Sequence, residues 1–242
     1  MRRRTVTVTT TMDMAMTTEG ALYRLMTWLS PAYPLGAFSY SHGLEYAVEI
    51  GQVTSGASLA EWVTTVLEHG AGQVDGALFA AAWRAMESGD NGAFDTAAEL
   101  ASAWRGSAET ALESTAQGAA FLTVTRAAWP EPRFERLASR YDGALALSVA
   151  VGAACALHGL PLLPSLIAYL QAFAANLVSA GVRLVPLGQT DGQRAIACLE
   201  AVVTRAAATA LDADLDALAT SAPLLDLMSM KHETQYTRLF RS

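Results

Sequence analysis

Charge is scarce in this chain of 242 residues: 16% of positions are Asp, Glu, Lys or Arg, and the net charge is -7. With an isoelectric point near 5.1, that balance argues against a nucleic-acid binder. A hydrophobic content of 52% excludes a disordered chain. So little charge also implies that partners cover part of an apolar surface. Cysteine is nearly absent. Cys155 and Cys198 are far apart in apolar surroundings, the setting of small core hydrophobes rather than of ligands or a disulfide. With no secretion signal, a reducing cytoplasm is the expected compartment. Long apolar runs are missing too. The longest, Ala144 to Leu157, is too short to cross a bilayer, so a buried core helix and no membrane contact are expected. No stretch alternates with period two, which leaves no strand to assign.

Apolar residues recur at helical spacing along the chain, joined by short Gly- and Pro-bearing connections. The pattern implies an all-α, single-domain helical bundle of about eight to ten helices. Residues 1–17, rich in threonine, are expected to form a disordered leader, 18–222 the helical domain, and 223–242 a flexible partner-binding tail. Arg2 to Arg4 start like a signal peptide, but a threonine run follows where an apolar segment is needed. Capping boxes are expected at Ser58–Glu61 and Thr190–Gln193, and the most apolar helix from Asp142 to His158. Abundant alanine and glycine favour close helix packing.

One stretch breaks the monotony. From Ser30 to Tyr46, two prolines and two glycines frame aromatic and hydroxyl side chains. Pro31 and Pro34 push the residues before them out of the α region, and Gly36 permits a sharp backbone excursion. A helix is expected from Ala37, carrying Phe38, Ser39, Tyr40, Ser41 and His42 in its first turns. Phe38 and Tyr40 are expected to present a partner-facing surface. The last residues, Met228 to Ser242, mix Tyr, Phe, Met and Arg, the residue types enriched at interface centres.

Enzymatic motifs are weak. Ser39-Tyr-Ser41-His-Gly43 is one residue short of a nucleophile elbow and has no strand before it. His42-x-x-Glu45 and Cys155-x-x-His158 fall short of the four ligands of a structural metal site. Gly188 to Arg194 lacks the lysine and the spacing of a phosphate loop. No cofactor or metal is assigned.

Three blocks carry a family likeness: Ser30-Pro-Ala-Tyr-Pro-Leu-Gly-Ala-Phe-Ser-Tyr-Ser-His-Gly-Leu-Glu45, Val182-Arg-Leu-Val-Pro-Leu-Gly-Gln-Thr-Asp-Gly-Gln-Arg194 and His232-Glu-Thr-Gln-Tyr-Thr-Arg-Leu-Phe-Arg-Ser242. A weaker fourth is Glu113-Ser-Thr-Ala-Gln-Gly118. In these the chain resembles the urease accessory protein UreF family, from about residue 20 to the end of the sequence. It departs from the family pattern at Tyr33, where leucine is common, and in its threonine-rich leader. The resemblance implies an all-helical, non-enzymatic scaffold that dimerises and binds UreD (UreH in some species). The pair then recruits the GTPase UreG and docks on apo-urease for nickel delivery to a carbamylated lysine.

Partner contacts are expected at Phe38, Tyr40, His42, Glu45 and Arg194, and in the tail at His232, Glu233, Gln235, Tyr236, Arg238, Leu239, Phe240 and Arg241. The rival readings are a serine hydrolase built on Ser41 and His42, and a nickel carrier using His42, Glu45 and His232.

Overall fold

A computed structural model of the chain describes residues 10–242, with side chains from Glu19 onward. The expected leader, residues 1–17, lies outside the described residues in its first nine positions and outside the described side chains throughout. The described residues form eleven α-helices and no strand. They are α1 (Thr10–Trp28), α2 (Leu44–Glu49), α3 (Gly56–His69), α4 (Ala71–Ser88), α5 (Asn91–Ala103) and α6 (Ala108–Ala128). There follow α7 (Pro132–Arg140), α8 (Leu147–Leu157), α9 (Leu162–Leu184), α10 (Gln189–Leu211) and α11 (Pro223–His232).

The core is organised around α8, whose residues from Ser148 to Ala156 are all buried. It lies along α4 and also touches α5, α6, α7 and α9. Helix α4 comes so close that a side chain at Gly152 would sit 2.5 Å from the Phe79 carbonyl oxygen. Close packing through small residues, expected from the composition, is realised here. Helix α9 is long and apolar enough by composition to cross a membrane. Here it packs against α2, α3, α4, α8 and α10 and buries Leu166, Leu170, Leu177 and Val178.

Several boundaries differ from expectation for local reasons. Helix α8 begins at Leu147 rather than Asp142, because Asp142 (φ 51°) and Gly143 (φ 73°) are left-handed and cannot continue a helix. Helix α3 is capped by Ser55 with Ser58 three residues in, so its capping box falls three positions earlier. Helix α10 starts after Gly188 without a side-chain cap, and α9 runs through Leu184, which shortens the second interruption to residues 185–188. Pro223, at the first turn of α11, starts a helix where a tail was expected. Cys155 is buried as expected, but Cys198 is exposed on the outer face of α10.

Candidate functional site

The stretch Ser30–Tyr46 forms a helix only at its end. Gly36 takes the left-handed region (φ 72°), Ala37–Ser39 make a single 3-10 turn, and Tyr40 is extended (φ -120°, ψ 136°). His42 (φ 57°) and Gly43 (φ 77°) are both left-handed, so α2 begins only at Leu44. The expected helix from Ala37 is therefore a shaped loop. At Gly43 a side chain would lie 2.8 Å from the Ser229 backbone nitrogen, so glycine is required where α11 crosses. For His42, which has a side chain, the left-handed backbone is a strained position.

The loop shape reverses which side chains face outward. Phe38 is 68% exposed and Tyr40 only 3%. Tyr40 is thus a core residue rather than part of an outer surface, because an extended residue between the 3-10 turn and His42 directs its ring inward. His42 is half-buried, with its ring edge-on to Phe173 at 5.5 Å between centroids.

Onto this loop the C-terminal segment is strapped by main-chain bonds. Arg241 N donates to Ser39 O at 2.8 Å, and Ser41 N donates to Ser242 O at 2.7 Å. The Ser41 hydroxyl donates to the same Ser242 carbonyl. Glu45, buried at the start of α2, accepts Leu239 N at 2.7 Å and Phe240 N at 2.9 Å. The segment expected to be flexible is docked in this structure, with His232, Phe240 and Ser242 all buried. Buried acceptors and a ring pocket hold it where its own helical propensity would not.

Two further carboxylates complete the cradle, one turn apart on α6. Glu109 binds His232 Nδ1 at 2.6 Å and Arg238 at 2.8 Å. Glu113 accepts the Ser242 hydroxyl at 2.8 Å and lies 3.5 Å from His42 Nδ1. Arg183, from α9, donates to Phe38 O at 2.9 Å and lies 4.5 Å from the centre of the Phe240 ring. That guanidinium ties the loop to the strap by a hydrogen bond and a cation–π contact.

The other expected contact residues fall at the edges. Glu233 accepts the Ala108 N–H at the start of α6, and Gln235 bonds Glu49. Tyr236 is fully exposed and Leu239 is 65% exposed. Arg241 uses only its backbone. Arg194 takes no part: it pairs with Asp191 one turn away on α10. Sequence reading missed Glu109 and Arg183 as members of the site. Arg183 lay within the second family-like block, and Glu109 was signalled by its i, i+4 spacing to Glu113, which sets both carboxylates on one face of α6.

Among the described residues, Ser41, His42 and His232 are not arranged as either rival reading requires. The Ser41 hydroxyl is spent on Ser242 and makes no bond to His42, whose Nδ1 has no hydrogen-bond partner. His42 lies 3.5 Å from Glu113 whereas His232 contacts Glu45 and Glu109, and no group of three or more His, Cys, Asp or Glu suited to a metal occurs among the described residues.

These features define an all-α protein with its C-terminal segment strapped across three buried carboxylates. Its relatives are specific. A UreF family profile matches residues 53–200. The chain is 56% identical over 226 residues to a urease accessory protein UreF of Granulibacter bethesdensis, covering 93% of this chain and 96% of that one. It is 55% identical over 225 residues to the protein of that name from Rhodopseudomonas palustris, covering 93% and 95%. The corresponding protein of Bradyrhizobium diazoefficiens is 49% identical over 230 residues, with 95% of both chains covered. The chain belongs to the UreF family.

Proposed function

We propose that this chain is a non-enzymatic maturation factor for urease. It works in the cytoplasm as an adaptor that joins UreD (UreH) and the GTPase UreG on apo-urease so that nickel is inserted. The observation that carries this reading is the convergence of family-like blocks on one face. The Ser30–Glu45 loop, Arg183 of the second block and the His232–Ser242 segment are bonded to one another there. The edge of that face offers Phe38, Tyr236 and Leu239 to a partner, the aromatic and apolar anchors that interfaces use. A homodimer is supported by exposed Leu22, Tyr23 and Met26 on α1, an apolar stripe on a chain poor in charge.

The test is co-purification of the tagged chain with UreD and UreG, separately and together. The wild-type chain is expected to retain both, and truncation after His232 to lose them while far-ultraviolet circular dichroism stays helical. Retention of both partners by the truncated chain at wild-type affinity would remove the strapped face from the function. Failure of the wild-type chain to hold either partner would overturn the adaptor reading.

A further inference from the structure

Helix α1 is thinly attached. Of its described side chains, from Glu19 to Trp28, only Leu25 and Trp28 are buried. Its end rests on the junction between α8 and α9 through Trp28 and Arg24. The Trp28 indole meets the His158 ring edge to face at 5.1 Å between centroids, and Phe121 and Trp129 at 5.9 and 5.8 Å. Arg24 Nη1 lies 3.1 Å from His158 Nδ1 and 3.4 Å from the His158 carbonyl oxygen. A guanidinium has donors only, so Nδ1 accepts and the ring proton sits on Nε2. That arrangement exists for a neutral ring alone. The imidazolium would turn an N–H toward the Arg24 N–H and bring two positive groups into contact. Its other nitrogen, Nε2, is buried with no partner, so no acceptor there rewards a charge.

We propose that the Arg24–His158 contact is a latch that holds α1 on the α8–α9 junction while His158 is neutral, so that acid loosens α1 and the Leu22, Tyr23 and Met26 stripe it carries. The latch stands apart from the adaptor reading and holds whatever that stripe meets.

Arg24 and Trp28 both belong to α1, whereas His158 closes α8 and stays behind when α1 lifts. Release removes the cation and the aromatic cover together, and the ring returns to the ordinary imidazole value of about 6.5. In the docked form burial, and after it Arg24, holds His158 below that value. Glu131, between α6 and α7, pulls less strongly the other way. It caps α7 through Phe134 N and is there in both states. The remaining groups are spent or absent. Arg133 on α7 donates to Met86 O, and Glu19 and Tyr23 on α1 are exposed. The first turn of α9 has no ionisable side chain, and α8 has only the buried Cys155. The docked form thus binds fewer protons than the released form below about 6.5. Docking is complete at neutral pH and weakens as pH falls, by up to about tenfold per unit until the docked ring itself protonates.

The experiment is hydrogen exchange on the full chain from about pH 7.5 down to about pH 5, corrected for intrinsic exchange rates. The Leu25 and Trp28 amides are compared with core amides of α8, since a helix freed from its packing is marginal and exchanges. Their protection relative to α8 is expected to fall by about fivefold or more across the window. His158→Asn sets an amide oxygen near the place of Nδ1 and cannot titrate, so it is expected to hold α1 with a flat profile. Arg24→Gln keeps a donor but removes the cation, and is expected to give a shallower slope. Ring nitrogen shifts are expected to show His158 titrating below the ordinary value in the wild type and higher in Arg24→Gln. His42→Asn is expected to keep the wild-type slope, which separates this latch from the His42–Glu113 contact. A flat wild-type profile, a slope that survives His158→Asn, or a ring titrating at or above the ordinary value would each overturn the proposal. Should the Asn chain fail to hold α1 at any pH, the ring titrations of the wild type and Arg24→Gln decide, and no difference between them would overturn it.

Discussion

Phe38 and Tyr40 differ by two positions and by almost everything else. Phe38 stands in solvent while its carbonyl is held by Arg183, and Tyr40 is inside the fold. Phe38→Ala is therefore expected to change stability by less than about 1 kcal/mol. Tyr40→Ala is expected to cost about 3–5 kcal/mol as a buried aromatic truncation. Parallel thermal melts decide this, and equal melting temperatures for the two variants would contradict the assigned faces. The cysteines make a similar contrast. Burial pushes the Cys155 thiol up to about 12, while Cys198 is exposed. At pH 8 iodoacetamide is expected to modify Cys198 alone in the native chain, and both in denaturant, read by intact mass. Residue types pointed to the right stretch, because prolines and glycines among aromatics are rare elsewhere in this chain. Their faces were illegible, since they depend on left-handed backbone at His42, a residue whose type does not announce it.

Among the elements, α3 and α9 were legible from apolar stripes at helical spacing, while α8, buried all round, showed as a continuous apolar run. What periodicity does not encode is which helix lies against which, and at what distance. The α4–α8 crossing rests on Gly152, and Gly152→Val is expected to force the helices apart. A cost of about 3 kcal/mol or more follows from overpacking against rigid backbone, seen as a lowered denaturant midpoint with an unchanged slope. Wild-type stability in this variant would mean that the helices yield easily. The cradle was illegible for the same reason. Glu45, Glu109 and Glu113 come from α2 and α6, and only their shared use of the C-terminal segment makes them one unit. Glu45→Ala strips the Leu239 and Phe240 N–H groups of their acceptor and removes a carboxylate from beside His232. It is expected to free the strap, at a cost of about 3–5 kcal/mol, while α8 amides keep their protection. Exchange of the Leu239 and Phe240 amides checks this, and unchanged protection would mean that Arg183 and Ser41 suffice.

For the molecule as a whole, alkaline pH acts through buried phenols. Tyr141 is pushed up to about 12 by burial and by its bond to Asp95; Tyr169 is raised well above its ordinary value by burial and by Asp75, and Tyr33 is raised by burial. An unfolded chain loses these protons near pH 10, so above that pH it binds fewer protons than the folded chain and stability falls. Urea midpoints are expected to decline between pH 10 and about 12, and less steeply in Tyr141→Phe. The strap adds a consequence in time rather than in energy. Its bonds join residues 39–45 to 239–242, positions at opposite ends of the described chain. Contacts of such long sequence separation form after the local ones, because the helices between them must first bring the ends together. In pulse-labelled refolding, the Leu239 and Phe240 amides are then the last to be protected, so the face is completed only once the helical core already stands.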